Sequence, residues 1–209
     1  MALCERLVKQ CIGADCNSMV FEGAEPNAWL FNKAEIESLT PVTDEPNLIS
    51  AIVMGEDDQQ VAYVGYRVAQ LGKTPYSGSN TTMAEGNIMN TFTETVQFLV
   101  PDNSPAASVL LDNMAGGKFL MVMENQFAGT DSKGKFQVYG AKKALSCTAM
   151  ERQLYSDDTN GGWLVTLTAE KQPVSAMFIY TTSEAATRTY LDGITTDCTT
   201  SSDDDQNNG

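Results

Sequence analysis

Apolar and polar side chains alternate along residues 90–100, and this alternation predicts the clearest strand of the chain. One face of that strand carries the apolar side chains of Phe92, Val96, Phe98 and Val100. The opposite face carries hydroxyl and amide groups, on Thr91, Thr93, Thr95 and Gln97. Such a strand is typical of a sheet that packs against a core on one side and meets water on the other.

Glu94 breaks this alternation, because it falls on the apolar face of the strand. We expect it to lie at a sheet edge or at a contact between subunits, where a lysine or arginine faces it. The alternative is a buried acid with a raised pKa, which would make it a candidate for chemistry. The spacing of the other acidic residues identifies no partner for such chemistry.

Further apolar runs, separated by turn residues, predict most of the other strands. They lie at residues 28–31, 48–54, 60–71, 118–125, 136–139, 163–168 and 176–180. We expect residues 48–54 and 60–71 to pair as a hairpin across the acidic turn at 56–58. Residues 144–154 are expected to extend the sheet further.

A helix is predicted over residues 106–114, where Ser104 offers an N-cap oxygen and Pro105 suits the first helical position. The glycines at 116–117 are expected to end it in a left-handed conformation. A second, shorter helix is predicted after Ser183. The order of strands and helices predicts a mainly β (α+β) fold class, an antiparallel β-sandwich or half-barrel with one or two flanking helices.

Residues 72–86 form a long polar stretch with three glycines, a proline and no periodicity. A segment of this length is at the limit for an ordinary loop, so we expect an arm with a function. From residue 195 the chain consists largely of Thr, Ser, Asp, Asn and Gly. The sequence therefore predicts one domain over residues 1–194 and a flexible acidic tail over 195–209.

Charge excludes several classes of partner. Lysine and arginine number 13 against 27 acidic residues, a net charge of −14 among 209 residues. Nucleic-acid binding draws on clustered cations, and docking on an anionic membrane does too, so neither is expected. No apolar stretch approaches the length of about eighteen residues that a membrane-spanning helix needs. Glu5 and Arg6 lie where a signal peptide needs an apolar core, so secretion by that route is not expected.

The chain contains no histidine, which removes Ser-His and Cys-His nucleophile pairs and imidazole-based zinc sites. We therefore expect no catalysis, no cofactor and no metal site. Its five cysteines include no CxxC pair, and reduced thiols are expected; a Cys4–Cys16 or Cys11–Cys16 bridge is the alternative. Asp157 and Asp158 lack the spacing of a calcium loop and favour a solvated turn.

Four passages, taken together, resemble a known family. They are AWLFNKAEI at 28–36, DNMAGGKFLMVMENQ at 112–126, GKFQVYGAKKAL at 134–145 and NGGWLVTLTAEKQP at 160–173. In this order they resemble virion structural proteins of tailed phages that infect Bacteroidetes, which form the tail tube or a tail ring. The resemblance extends from about residue 2 to 192 and leaves out residues 72–86 and the acidic tail.

The resemblance implies two antiparallel sheets with a flanking helix, in subunits that assemble into a ring. The ring would be a hexamer or a multiple of six subunits, in contact with neighbouring tail proteins of the virion. The inner sheets would join into one barrel around a lumen, through which DNA passes without being bound specifically. A negative net charge suits such a conduit, because it repels phosphate.

Three sets of residues become candidates under this resemblance. The lumen-facing strand would present Thr91, Thr93, Thr95 and Gln97. An arm between subunits would use Lys73, Thr74, Pro75 and Tyr76. Glu94 would supply a charge at the contact between subunits.

Other functions stay open on the sequence alone. A head–tail connector or a capsid-decorating protein of the same virion fits the same features. A β-sandwich module that binds a glycan or a protein is the alternative from another class. An exposed aromatic cluster would mark such a module, but Tyr63, Tyr66 and Tyr76 are too scattered along the chain to show one.

Overall fold

The computed structural model of the chain describes residues 23–70, 72–86, 89–129 and 131–196. Across these residues strands dominate, most of them belong to one large sheet, and two α-helices flank it. The predicted mainly β fold class with flanking helices is therefore confirmed.

The elements are numbered in chain order. The strands are β1 (Ala24–Asn32), β2 (Ile36–Val42), β3 (Glu45–Met54), β4 (Gly65–Ala69), β5 (Asn80–Ala84), β6 (Thr91–Val100), β7 (Lys118–Asn125), β8 (Phe136–Tyr139), β9 (Leu145–Arg152), β10 (Trp163–Gln172), β11 (Met177–Ile179) and β12 (Thr195–Thr196). The helices are α1 (Pro105–Gly116) and α2 (Glu184–Gly193), with one 3-10 turn at Lys33–Glu35.

Strands β1 and β7 form the centre of the fold. They pair antiparallel, with Leu30 opposite Met121 and Phe31 opposite Leu120. Successive side chains of a strand point to opposite faces. Leu30 and Met121 therefore enter one hydrophobic core, and Phe31 and Leu120 enter a second core on the other side. Both strands are apolar on both faces because each face covers a core.

The first core lies inside a small barrel. Backbone pairing joins its strands in the order β4, β1, β7, β9, β10 and β6, and α1 packs against the same core. Between β4 and β6 the barrel is closed by a side chain. Gln70 donates to the carbonyl of Leu99 at 2.9 Å and accepts from the N–H of Leu99 at 2.7 Å. The buried amide thus satisfies the groups that a strand partner would otherwise satisfy.

The second core lies between the other face of β1 and β7 and helix α2. The buried Trp29 donates from Nε1 to Asp192 of α2 at 2.9 Å. The Tyr190 hydroxyl of α2 donates to the carbonyl of Ile52 at 2.7 Å and accepts from its N–H at 3.0 Å. These bonds fasten α2 to β1 and β3.

The predicted hairpin of residues 48–54 with 60–71 is confirmed only at its turn, where an isolated antiparallel bridge joins Glu56 and Ala62; the pairing of the two strands with each other is wrong. Strand β3 pairs antiparallel with β2 and parallel with β11, whereas β4 pairs with β1. In the parallel pair, Leu48 lies opposite Phe178 and Ile49 opposite Ile179. One partner of β3, strand β2, is its neighbour in sequence, whereas the other, β11, lies more than a hundred residues away, which no local pattern shows.

Both helices begin where the sequence predicts. The Ser104 and Ser183 hydroxyls accept from the backbone N–H three residues later, at 3.2 Å and 3.1 Å. The predicted left-handed end of α1 is wrong, because Gly117 is extended with φ −77° and ψ 163°. A Cβ at Gly117 would lie 2.1 Å from the ring of Phe119, and this close approach explains the glycine.

Some predictions lie outside the described residues. Four of the five cysteines, Cys4, Cys11, Cys16 and Cys198, lie outside the described residues, while Cys147 is a free thiol. Thr195 and Thr196, predicted in the flexible tail, instead form β12 beside β4, so the ordered domain extends beyond residue 194. Among the described residues, no helix has the length and apolar character to cross a membrane.

Candidate assembly surface

Strands β5, β6, β10 and β9 follow one another, in that order, as an antiparallel sheet. Directly opposite side chains on neighbouring strands share a face. Thr95 lies opposite Asn80 on one side and Thr168 on the other, and Gln97 lies opposite Thr166. The face that points away from the first core is called here the polar sheet face. Its polar side chains are Asn80, Thr82, Thr91, Thr93, Thr95, Gln97, Ser146, Thr148, Thr166 and Thr168, and the same register places Ala84, Leu99, Ala149, Glu151 and Leu164 on it as well.

The polar sheet face brings together the four residues predicted to face a lumen. Their side chains are half-buried, and several polar groups of the face bond to one another. The Gln97 amide donates to Thr166 Oγ1 at 3.1 Å, and the Thr148 and Thr168 hydroxyls lie 2.9 Å apart. The result is a wettable surface, uncharged in its middle, that is held by the sheet beneath it.

Charged groups lie at the ends of this sheet. Lys118, Lys143 and Glu170 border a groove of about 460 Å³ at one end, where Lys118 Nζ donates to Ser146 Oγ at 2.5 Å. The exposed Glu151 lies near the other end, opposite Leu164 of β10. The acidic turn at 56–58 follows β3 and is not part of this sheet. The middle of the polar sheet face therefore offers hydroxyls rather than the acidic wall that the net charge suggested.

Glu94 is not a charge at a contact between subunits, and that prediction is wrong. The side chain is 2% exposed and lies in β6, which has β5 and β10 on its two sides. Its Oε2 accepts from the Gly140 N–H at 2.7 Å and from Gln172 Nε2 at 3.1 Å. Burial raises the pKa of Glu94 to about 7, although both hydrogen bonds act to lower it. The structure therefore agrees with the alternative in that Glu94 is a buried acid.

The predicted arm is partly anchored to the fold. Tyr76 is 5% exposed, and its hydroxyl donates to the carbonyls of Pro26 at 3.0 Å and Val68 at 2.8 Å. The prediction that Tyr76 belongs to an arm between subunits is therefore wrong. Lys73 and Thr74 are exposed and remain available for contacts.

Residues 80–84, which the sequence placed in the same arm, form β5. The turn before this strand is held by Ser79, whose Oγ accepts from the Gln97 N–H at 3.0 Å. The sequence gives no signal for β5, because its letters NTTMA contain one large apolar residue and no alternation. Pairing with β6 alone makes the segment a strand.

The four-stranded sheet ends in two edges that lack a strand partner along most of their length, although helix α1 packs close to β9. Among the described residues, no strand pairs with the outer edge of β5 or with β9 beyond Ser146 on the side away from β10. Natural proteins guard free edges with proline or charge. The other outer strand, β2, contains Glu37 and Pro41, whereas β5 contains neither and exposes 62% of Met83. The β5 edge is therefore open to pairing with another strand.

Comparison of the chain with protein-family models, with curated proteins and with solved structures finds no match. The function is therefore inferred from the geometry of the surface and from the sequence.

Proposed function

We propose that this chain is a non-enzymatic structural subunit of a phage tail that assembles head to tail into rings of the tail tube or a tail ring. The observation that carries the proposal is the four-stranded sheet, which has a polar face with an uncharged middle and two edges without a full strand partner. The edge of β5 in one copy would pair with the open part of β9 in the next. The resemblance of the sequence to virion tail proteins supports the same assembly.

Strand directions are compatible with this pairing. Each of the four strands runs antiparallel to its neighbour, so β5 and β9, at the two ends of the sheet, run in opposite directions. Copies related by a rotation about the ring axis keep their orientation. A junction of β5 with β9 of the next copy is therefore antiparallel as well, and the polar sheet face points to the same side in every copy.

The stagger of the two edges also suits a closed barrel. Strand β5 lies opposite Thr91–Thr95 of β6. Across β10, the open part of β9 is level with Val96–Val100 of β6, five residues further along that strand. Five residues span about 17 Å along a strand, and four strands span about 19 Å across a sheet. This offset corresponds to a strand tilt of about 40°, within the range of about 35–45° found in barrels.

The polar sheet face suits a wall along which DNA slides. DNA adheres to proteins through cations that release its counterions, and the middle of this face carries hydroxyls and amides instead. The net charge of −14 adds general repulsion of phosphate. Six copies would give about 24 strands, more than the 16–18 that already leave an aqueous channel in a barrel. A head–tail connector ring would use the same geometry, and copy number per particle distinguishes the two positions.

A charge at the β5 edge tests this proposal. Met83→Lys places an ammonium group on the edge proposed to pair, and Thr40→Lys places the same group on the exposed outer strand β2 as a matched control. We expect Met83→Lys to abolish ring formation in electron micrographs and Thr40→Lys to leave it unchanged. Rings of Met83→Lys as abundant as those of the unsubstituted chain would overturn the pairing of β5.

A second candidate function, a surface-binding module, is favoured by one observation. The segment after β3 exposes two tyrosines and two valines, with Tyr66 49% and Val61 59% exposed. The double variant Val61→Ser, Tyr63→Ser, at two exposed residues that do not line the groove beside β4, separates the two functions. A binding module loses its affinity for a glycan or protein probe, whereas the ring subunit retains its assembly.

A further inference from the structure

An apolar groove opens on the barrel where β4 and β6 are joined only by the Gln70 side chain. It has a volume of about 450 Å³ and lies between β4, the end of β6 and α1. Val68, Phe98, Leu110 and Phe119 contribute apolar side chains to its walls. Leu110 is 49% exposed although it is apolar, because it faces this opening.

The same chain carries an apolar projection. The turn between β9 and β10 exposes 64% of Leu154 and 99% of Tyr155. These two side chains, called here the tip, are followed by Asp157 and Asp158. An apolar pair at a hairpin end costs solubility, and such exposure typically marks a contact.

We propose that the tip of one copy fills the apolar groove of the next copy in the ring. The occupant is a second copy of this chain, because the two large apolar side chains of its tip match an apolar groove of this volume. A projection and a complementary groove on different parts of one chain produce a head-to-tail contact. The inference rests on the proposed function and adds a specific contact to it.

The strand register brings the two parts together. The tip follows Arg152, which aligns through β10 with Val100. With the five-residue offset at the junction, the tip reaches the level of Val96–Leu99 in the next copy. At the level of Gln97 the turn before β5 still lies beside β6, and the groove opens on the same side from Phe98 to Val100. The pairing of β5 with β9 and the filling of the groove are therefore compatible in one interface.

Two complementary variants test the contact by sedimentation velocity of the full chain. The first, Leu154→Ser with Tyr155→Ser, removes the tip and keeps the groove. The second, Leu110→Arg, obstructs the groove and keeps the tip. The matched control is Val109→Arg, one residue earlier on α1, at a side chain that is 60% exposed and does not line the groove. All these positions are exposed, so the substitutions leave the core intact.

We expect each test variant alone to self-associate at least about tenfold more weakly, and the control to associate like the unsubstituted chain. An equimolar mixture of the two test variants should form one-to-one complexes more readily than either variant forms dimers alone, because one intact tip and one intact groove can then meet. Rings of both variants at the usual concentration would overturn the contact and leave the proposed function standing. An unsubstituted chain that stays monomeric at every concentration would overturn both.

Discussion

The buried carboxyl of Glu94 makes the stability of the fold depend on pH in a defined direction. Its pKa is about 7 in the folded chain, against an ordinary value of 4.5. Between these values the folded chain holds a proton that the unfolded chain has lost, so stability falls as pH rises from 4.5 to 7. The difference of about 2.5 pKa units corresponds to about 3 kcal/mol.

Glu94→Gln removes the titration and keeps the shape of the protonated acid. The amide oxygen of the new residue can accept from Gly140 and Gln172 as Oε2 does now. We expect the two proteins to have similar free energies of unfolding at pH 4.5, and the variant to be more stable by about 3 kcal/mol at pH 8.

Urea unfolding followed by circular dichroism between pH 4.5 and 8, at a concentration where the chain is monomeric, measures this difference. Glu37→Gln, an exposed acid on β2, is the matched control and should change the pH dependence little. If the free energies of unfolding of Glu94→Gln and of the unsubstituted chain differ by the same amount at every pH in this range, the titration of Glu94 does not contribute to stability.

Two further predictions concern the barrel, and both are measured as free energies of unfolding in urea. Gly117→Ala should destabilise the fold by about 1–3 kcal/mol, because its Cβ would overlap the Phe119 ring, whereas Gly116→Ala meets no atom within 4 Å and should be neutral or slightly stabilising. Equal effects of the two would contradict the packing described. Gln70→Leu should cost about 2 kcal/mol, because it leaves both backbone groups of Leu99 without their partner; an unchanged stability would show that the side chain does not close the barrel.

Local patterns predict the elements whose signals are local. The alternation along residues 90–100 matches β6, and its two faces are divided as the sequence indicates. The serine and proline before α1 specify its start, since capping depends on residues within one turn. The sequence predicts only the part of the polar sheet face that lies on β6, because β6 is the one of its four strands with a clear alternation.

The rest depends on partners distant in sequence. Strand β3 finds β11 rather than β4, and β5 becomes a strand through its pairing with β6. The role of Glu94 depends on Gly140 and Gln172, which lie 46 and 78 residues away. The groove and the tip have no sequence signal either, because exposure of an apolar side chain is decided by the packing around it.

Electron microscopy of the purified full chain, over a range of protein and salt concentrations, is the direct test of ring assembly. We expect closed rings or stacked rings around a central hole, with one rotational symmetry in the class averages and the polar sheet face towards the hole. Monomers at every concentration, or two-fold dimers in which like edges meet, would contradict this assembly.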